Sequence, residues 1–196
     1  MEGWGCPLTK APYHQGGARR NPMPFPKISP QVSRSVFVEF ECEENHEKRM
    51  EHVGEVLKRI AVENPTIATF LTALPTVPFY NDRTTLSHAI GFAINVYRLV
   101  EEELKLQGLP MPVVAPEIGA PLQAEFWRDP NGLRERLHQE NPRLLTAGID
   151  WFMESVVDQD WDSYNRISVV GYLTYAYIRG QWDANELKDQ IGSKLS

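Results

Sequence analysis

The 196-residue sequence lacks any apolar run long enough to cross a bilayer, since its longest runs are a few residues and a span needs about 18–20. It has only two cysteines, Cys6 and Cys42, which are too few for a disulfide framework. No apolar stretch follows Glu2, so no secretory signal peptide is predicted. These absences predict a protein without membrane contact, located in the reducing cytoplasm or within an assembled particle.

Linear catalytic motifs are also missing: there is no Gly-rich phosphate loop, Gly-x-Ser-x-Gly elbow or Cys-x-x-Cys pair. Residues 158–164, DQDWDSY, match the first positions of a calcium loop, but Val169 stands where the bidentate glutamate is required. Glu43 and His46 form a pair typical of di-iron bundles, which need a second such pair. We therefore predict no catalytic residue, metal ligand or cofactor, although a site assembled only in three dimensions stays open.

Acidic residues are scarce at the start of the chain, where residues 1–34 contain Glu2 against five basic residues. Because the whole chain has a net charge of −6, this balance of +4 leaves −10 for the remainder. A basic arm on an acidic body suits nucleic-acid contact or contact with the acidic surface of a neighbouring copy. The candidate nucleic-acid residues are Arg19, Arg20 and Lys27. A phosphate-binding face is usually basic, so the acidic body argues against nucleic acid as the partner.

Proline and glycine are concentrated in an extended N-terminal arm. Residues 22–30, PMPFPKISP, alternate proline with other side chains, which predicts a polyproline-like strap that packs on this chain or on a neighbour. Residues 35–43, SVFVEFECE, alternate apolar and acidic side chains, which predicts one short strand. A lone strand must pair with a minor internal ribbon or another chain. The predicted contact residues of the arm and strand are Met23, Phe25, Ile28, Val36, Val38 and Phe40.

Helical patterns begin at residue 44, where apolar residues recur every three or four positions. Asp82 is the predicted N-cap of a long helix that Gly108 ends. Aspartate or asparagine before proline predicts further helix starts. Residues 109–121 are a predicted surface loop, and a final weak helix is predicted over 184–191. The predicted additional caps are Asn64, Asp129, Asn141 and Asp162.

The predicted fold is therefore mainly α, with a bundle-like body of six to eight helices, an extended arm and one short strand. Its organisation is an arm over 1–34 and a single helical domain over 35–196. Within the body, residues 58–70 and 135–147 share an Arg…Glu-Asn-Pro…Thr pattern, and further matches follow about 80 residues apart. This similarity indicates either two related helical units or a generic helix boundary that occurs twice.

An acidic and aromatic corner spans residues 150–182, with eight of the chain's twenty aromatic residues. Three tyrosines of one helix, at 172, 175 and 177, are not expected to face inward together. Aromatic side chains beside acids suit a protein interface or a core whose hydroxyls reach water. The predicted interface residues of this corner are Tyr172, Tyr175 and Trp182.

These patterns favour a non-catalytic subunit of a larger protein assembly, such as a virion, whose arm and strand contact other subunits. Its predicted partners are a protein or copies of itself, with no membrane. One alternative is an enzyme or small-ligand-binding helical protein with a site near residues 150–182. Another is nucleic-acid contact through the basic arm.

Overall fold

A computed structural model describes residues 23–41, 46–80, 82–144, 146 and 161–195. Of these, residues 37–41, 46–50, 79, 126–127, 130–131, 161–163 and 190–195 are described by their backbone alone. The described part is mainly helical, which confirms the predicted class. None of its helices combines the length and apolar character that a membrane span requires. The principal helices are α1 Pro30–Glu41, α2 His46–Glu63, α3 Pro65–Ala73, α4 Arg83–Leu106, α5 Pro116–Arg128, α6 Pro130–Glu140 and α7 Trp161–Leu195.

Two long helices, α4 and α7, pack on each other at the centre of the fold. Their backbones approach closely at Gly171, where an added Cβ would lie 2.5 Å from the ring of Phe92. Just before α4, the Tyr80 hydroxyl donates to the carbonyl oxygen of Arg166 at 2.7 Å, near the start of α7. Because the contact partners advance along both helices together, α4 and α7 run in the same direction.

The ends of α4 follow the sequence prediction. Asp82 caps its start, since its carboxylate accepts hydrogen bonds from the backbone N–H groups of Thr84 and Thr85 at 3.4 and 2.7 Å. Gly108 follows its end with a φ of 69°, a left-handed conformation that glycine adopts without steric cost. Both predictions are confirmed, as is the capping of α6 by Asp129, which accepts from the N–H of Gly132 at 2.9 Å.

The predicted strand over 35–43 is wrong, because residues 30–41 form helix α1 and residues 42–43 lie outside the described part. A helix pairs its own backbone groups, whereas a lone strand leaves them unpaired. Val32 and Val36, four residues apart, are 5% and 1% exposed, and α1 packs on α4. In an alternating pattern, apolar residues four positions apart also lie on one face of a helix. The apolar periodicity of this segment is therefore compatible with a helix as well as with a strand.

Two Asn-Pro corners have the same backbone geometry. Asn64 has φ −144° and ψ 67°, Asn141 has φ −140° and ψ 80°, and each is 1% exposed. Asn64 stands at the predicted N-cap position of α3, but its side chain does not cap the helix: the amide instead donates to the carbonyl of Pro112 at 2.8 Å and accepts from the N–H of Val114 at 2.9 Å. That the two helical units around residues 58–70 and 135–147 are related stays a prediction. Their Asn-Pro corners share a local backbone conformation.

Two further boundaries differ from the sequence prediction. Helix α5 begins at Pro116, inside the predicted loop, since proline suits the first helical turn and Ala115 before it is extended. Helix α7 runs for 35 residues and absorbs the predicted final helix at 184–191, because no proline interrupts it. It starts at Trp161, so Asp162 lies within its first turn rather than before it.

Candidate functional site

The tyrosines of the acidic and aromatic corner are buried, contrary to expectation. Tyr172, Tyr175 and Tyr177 are 3%, 2% and 1% exposed. They can all be covered because α7 packs against α4, α5 and α6, and against the strap of residues 23–29, so no single face of it is the inner face. The acids of this corner at 150, 154, 158 and 160 lie outside the described residues.

Six side chains form what we call the α7 start cluster, at the end of the molecule where α4 and α7 begin. Arg134 of α6 donates to the Asn165 side-chain oxygen at 2.5 Å, and Tyr80 bonds to the backbone of Arg166 as described above. The exposed Arg83 begins α4 three residues after Tyr80. The members of the cluster are Tyr80, Arg134, Tyr164, Asn165, Arg166 and Tyr172.

Burial sets the protonation of the cluster. It raises the pKa of Tyr80, Tyr164 and Tyr172 above the ordinary tyrosine value, while Arg166 opposes the shift at Tyr80 and Arg134 opposes it at the other two. These phenols therefore stay neutral at physiological pH, as hydrogen-bond donors or acceptors rather than as bases or nucleophiles. With its guanidinium groups, the cluster is suited to binding an anion such as phosphate.

The strap of residues 23–29 lies further along α7, over Tyr175 to Glu186. The ring of Phe25 packs edge-on against the rings of Tyr175 and Trp182, with ring centroids 5.5 Å away in each case. The Trp182 indole donates to the carbonyl of Met23 at 3.1 Å, and the Glu186 carboxylate accepts from the Met23 N–H at 3.1 Å. The strap therefore packs on this chain's own body.

The predicted interface residues are thus mostly covered within the chain. Met23 keeps 45% of its surface exposed, whereas Phe25, Ile28 and Val36 are buried. The side chains of Val38 and Phe40, and all of Arg19 and Arg20, lie outside what the structure describes, and Lys27 is exposed. The covered residues are Phe25, Ile28, Val36, Tyr172, Tyr175 and Trp182. An interface formed by the aromatic residues of this set requires the strap to dissociate from α7. Such an interface stays a prediction.

Several polar contacts escaped the sequence analysis because their partners are distant in sequence. Glu103, 4% exposed, accepts a hydrogen bond from the N–H of Ser29 at 2.8 Å. Its carboxylate therefore lies at the positive end of the α1 helix dipole, where a negative charge is stabilising. Arg98, 9% exposed, has its Nη1 3.3 Å from the Nε2 of His52. The apolar spacing of α4 placed both positions on a helix, but no linear signal identified their partners.

No metal centre forms within the described ranges, where no three histidine, cysteine, aspartate or glutamate side chains meet in a suitable arrangement. His46 is described by its backbone alone, and Glu43 lies outside the described residues. The three aspartates at 158, 160 and 162 have no described side chains, so the calcium-loop comparison keeps only its sequence argument.

Comparison with known proteins finds no matching family model and no matching solved structure. The chain is similar to the protein named tRNA dimethylallyltransferase from Bdellovibrio bacteriovorus (strain ATCC 15356), with 26% identity over 148 residues. The match covers 70% of this chain and 46% of the relative, so the chain spans about half the length of the curated relative it matches. This relative is an enzyme, and the prediction of a non-catalytic assembly or virion subunit is therefore corrected.

Proposed function

We propose that the chain takes part in tRNA modification and that it contacts tRNA directly. The observation that carries this proposal is the similarity to a protein named tRNA dimethylallyltransferase over 70% of the chain. The charge argument against nucleic acid applied to the acidic body as a whole. RNA needs only one basic face, and two parts of this chain supply positive charge locally.

The first is the end where α4 and α7 begin. Arg83 and Arg166 are exposed there, beside the phenols of the α7 start cluster. Because the Asp82 carboxylate already accepts from the first N–H groups of α4, the attraction for phosphate at this end depends on the two guanidinium groups.

The second is the N-terminal region, with its balance of +4 over residues 1–34. In its described part, Lys27 and Arg34 are exposed. Because the body carries −10, these positive regions would orient a bound RNA and keep it away from the acidic faces.

Fluorescence anisotropy of labelled tRNA at several salt concentrations tests the proposal. We expect saturable binding that weakens as salt rises, because phosphate contacts release counterions. The double variant R83E/R166E should bind at least about tenfold more weakly at low salt, since two phosphate contacts of about 1 kcal/mol or more each are reversed in sign. Absence of saturable tRNA binding by the parent chain at low salt would refute the proposal.

The matched control is K105E/K188E, which makes the same charge change at exposed positions. Each control lysine lies about 22 residues, or about 33 Å, further along the same helix than its partner arginine. Equal losses in both double variants would show that net charge, and not the α7 start, governs binding. A tRNA and dimethylallyl-donor transfer assay on the parent chain then asks whether binding is accompanied by catalysis.

A further inference from the structure

The strap is recognised through its backbone and one aromatic ring. Trp182 and Glu186 together bond both backbone groups of Met23, whose side chain stays largely exposed. The ring of Phe25 fills the space between Tyr175 and Trp182, and the guanidinium of Arg179 lies 5.5 Å from its centroid. These contacts therefore select for an aromatic residue at position 25. They do not select for a particular side chain at position 23, where only the backbone is bound.

Proline on both sides of Phe25 completes the pattern. Pro24 and Pro26 restrict the backbone to extended geometry, so little conformational entropy is lost on docking. Aromatic grooves that receive pre-formed polyproline segments recognise their ligands by this combination of rings and fixed backbone. The strap site on α7 has the same physical components, and its seated ligand is a stretch of the same chain.

We propose that the face of α7 formed by Tyr175, Arg179, Trp182 and Glu186 is a docking site for a proline-flanked aromatic segment, of the form x-Pro-aromatic-Pro, on a partner protein. In the free chain, residues 23–29 occupy this site and compete with the partner. This inference is independent of tRNA binding, since Trp182 lies about 24 Å further along α7 than Arg166.

Competition by a tethered segment has a quantitative consequence. A segment attached by a short connection has an effective concentration in the millimolar range, so it lowers the apparent affinity of any ligand added in solution. Weakening the strap should therefore increase that affinity. Removing the Phe25 ring takes away the central contact, and a buried aromatic anchor typically contributes most of the affinity at such a site.

The probe is a fluorescently labelled peptide with the sequence of residues 21–29, NPMPFPKIS, and the readout is its anisotropy on titration with the full chain. We expect the variant F25A to bind the peptide saturably and at least about tenfold more tightly than the parent chain, because the competing strap is weakened. A peptide with alanine in place of phenylalanine should not bind.

M23A is the matched control, because Met23 contributes backbone groups and an exposed side chain. It should bind the peptide with the parent's affinity. P24G/P26G is a second strap-weakening variant that keeps the Phe25 ring, so a folding defect in F25A does not end the test. Absence of saturable peptide binding by F25A and P24G/P26G, or equal affinities for parent and P24G/P26G, would overturn the proposal.

Discussion

The two Asn-Pro corners offer a test of how much a buried side-chain amide contributes to stability. Asn64 and Asn141 share backbone angles, the following proline and 1% exposure. They differ in what their amides bond. Asn64 holds the backbone of Pro112 and Val114, whereas the amide of Asn141 makes one long contact, 3.5 Å to the hydroxyl of Tyr175.

N64A should therefore destabilise the fold far more than N141A. Alanine at 64 leaves one buried carbonyl and one buried N–H without partners, and each such group costs about 1–3 kcal/mol. The expected loss is about 2–5 kcal/mol in the free energy of unfolding. Alanine at 141 removes a single weak bond, so its expected cost is about 1 kcal/mol or less. Effects of asparagine on the backbone itself are the same at both corners and cancel in the comparison.

Urea unfolding followed by circular dichroism measures both values, with the slope against urea checked for constancy. Equal losses in the two variants would show that the hydrogen bonds of Asn64 to residues 112 and 114 contribute nothing beyond the corner conformation. A loss below about 0.5 kcal/mol in N64A would mean that water replaces the amide, and the reasoning from buried backbone groups would fail.

Two further predictions concern packing and pH. G171A should destabilise by about 1–3 kcal/mol in urea unfolding, because the new Cβ would lie 2.5 Å from the Phe92 ring; the control G54A meets nothing within 4 Å and should stabilise by about 0.5–1 kcal/mol. A gain in both would show that helix propensity outweighs crowding at Gly171. Burial raises the pKa of Tyr175 and Tyr177 to about 12, so their neutral forms favour folding below about pH 10, and stability should fall as pH rises from about 10 to 12. Tyrosinate absorbance that rises at pH 10, before unfolding by circular dichroism, would contradict this.

The fold class and several helix ends could be predicted because they depend on local chemistry. Asp82 and Asp129 cap helices through groups two or three residues away, and Gly108 ends one through its own backbone freedom. The predicted strand over 35–43 was wrong because apolar residues four positions apart, such as Val36 and Phe40, share one face in a strand and in a helix alike. Only packing on α4 distinguishes the two.

The candidate sites were harder to predict, because they depend on which sides of α7 are covered. The local sequence pattern identified Tyr172, Tyr175 and Trp182 as unusual. It also predicted that Phe25 packs against other residues, but it did not identify them. Burial of all three tyrosines of α7 requires helices on several sides, and that is set by the crossing at Gly171 and by the strap. Such long-range contacts leave no periodic signal along the chain.

The two proposed sites lie at different positions along α7, and this separates their tests. Arg166 and Trp182 lie on α7 about 24 Å apart at 1.5 Å per residue, with the buried crossing at Gly171 between them. The strap site recognises an uncharged aromatic segment, whereas the α7 start offers exposed guanidinium groups to an anion. Charge reversal at Arg83 and Arg166 therefore leaves the strap contacts intact, and loss of the Phe25 ring leaves the α7 start intact. Failure of either proposal would consequently not be explained by the other.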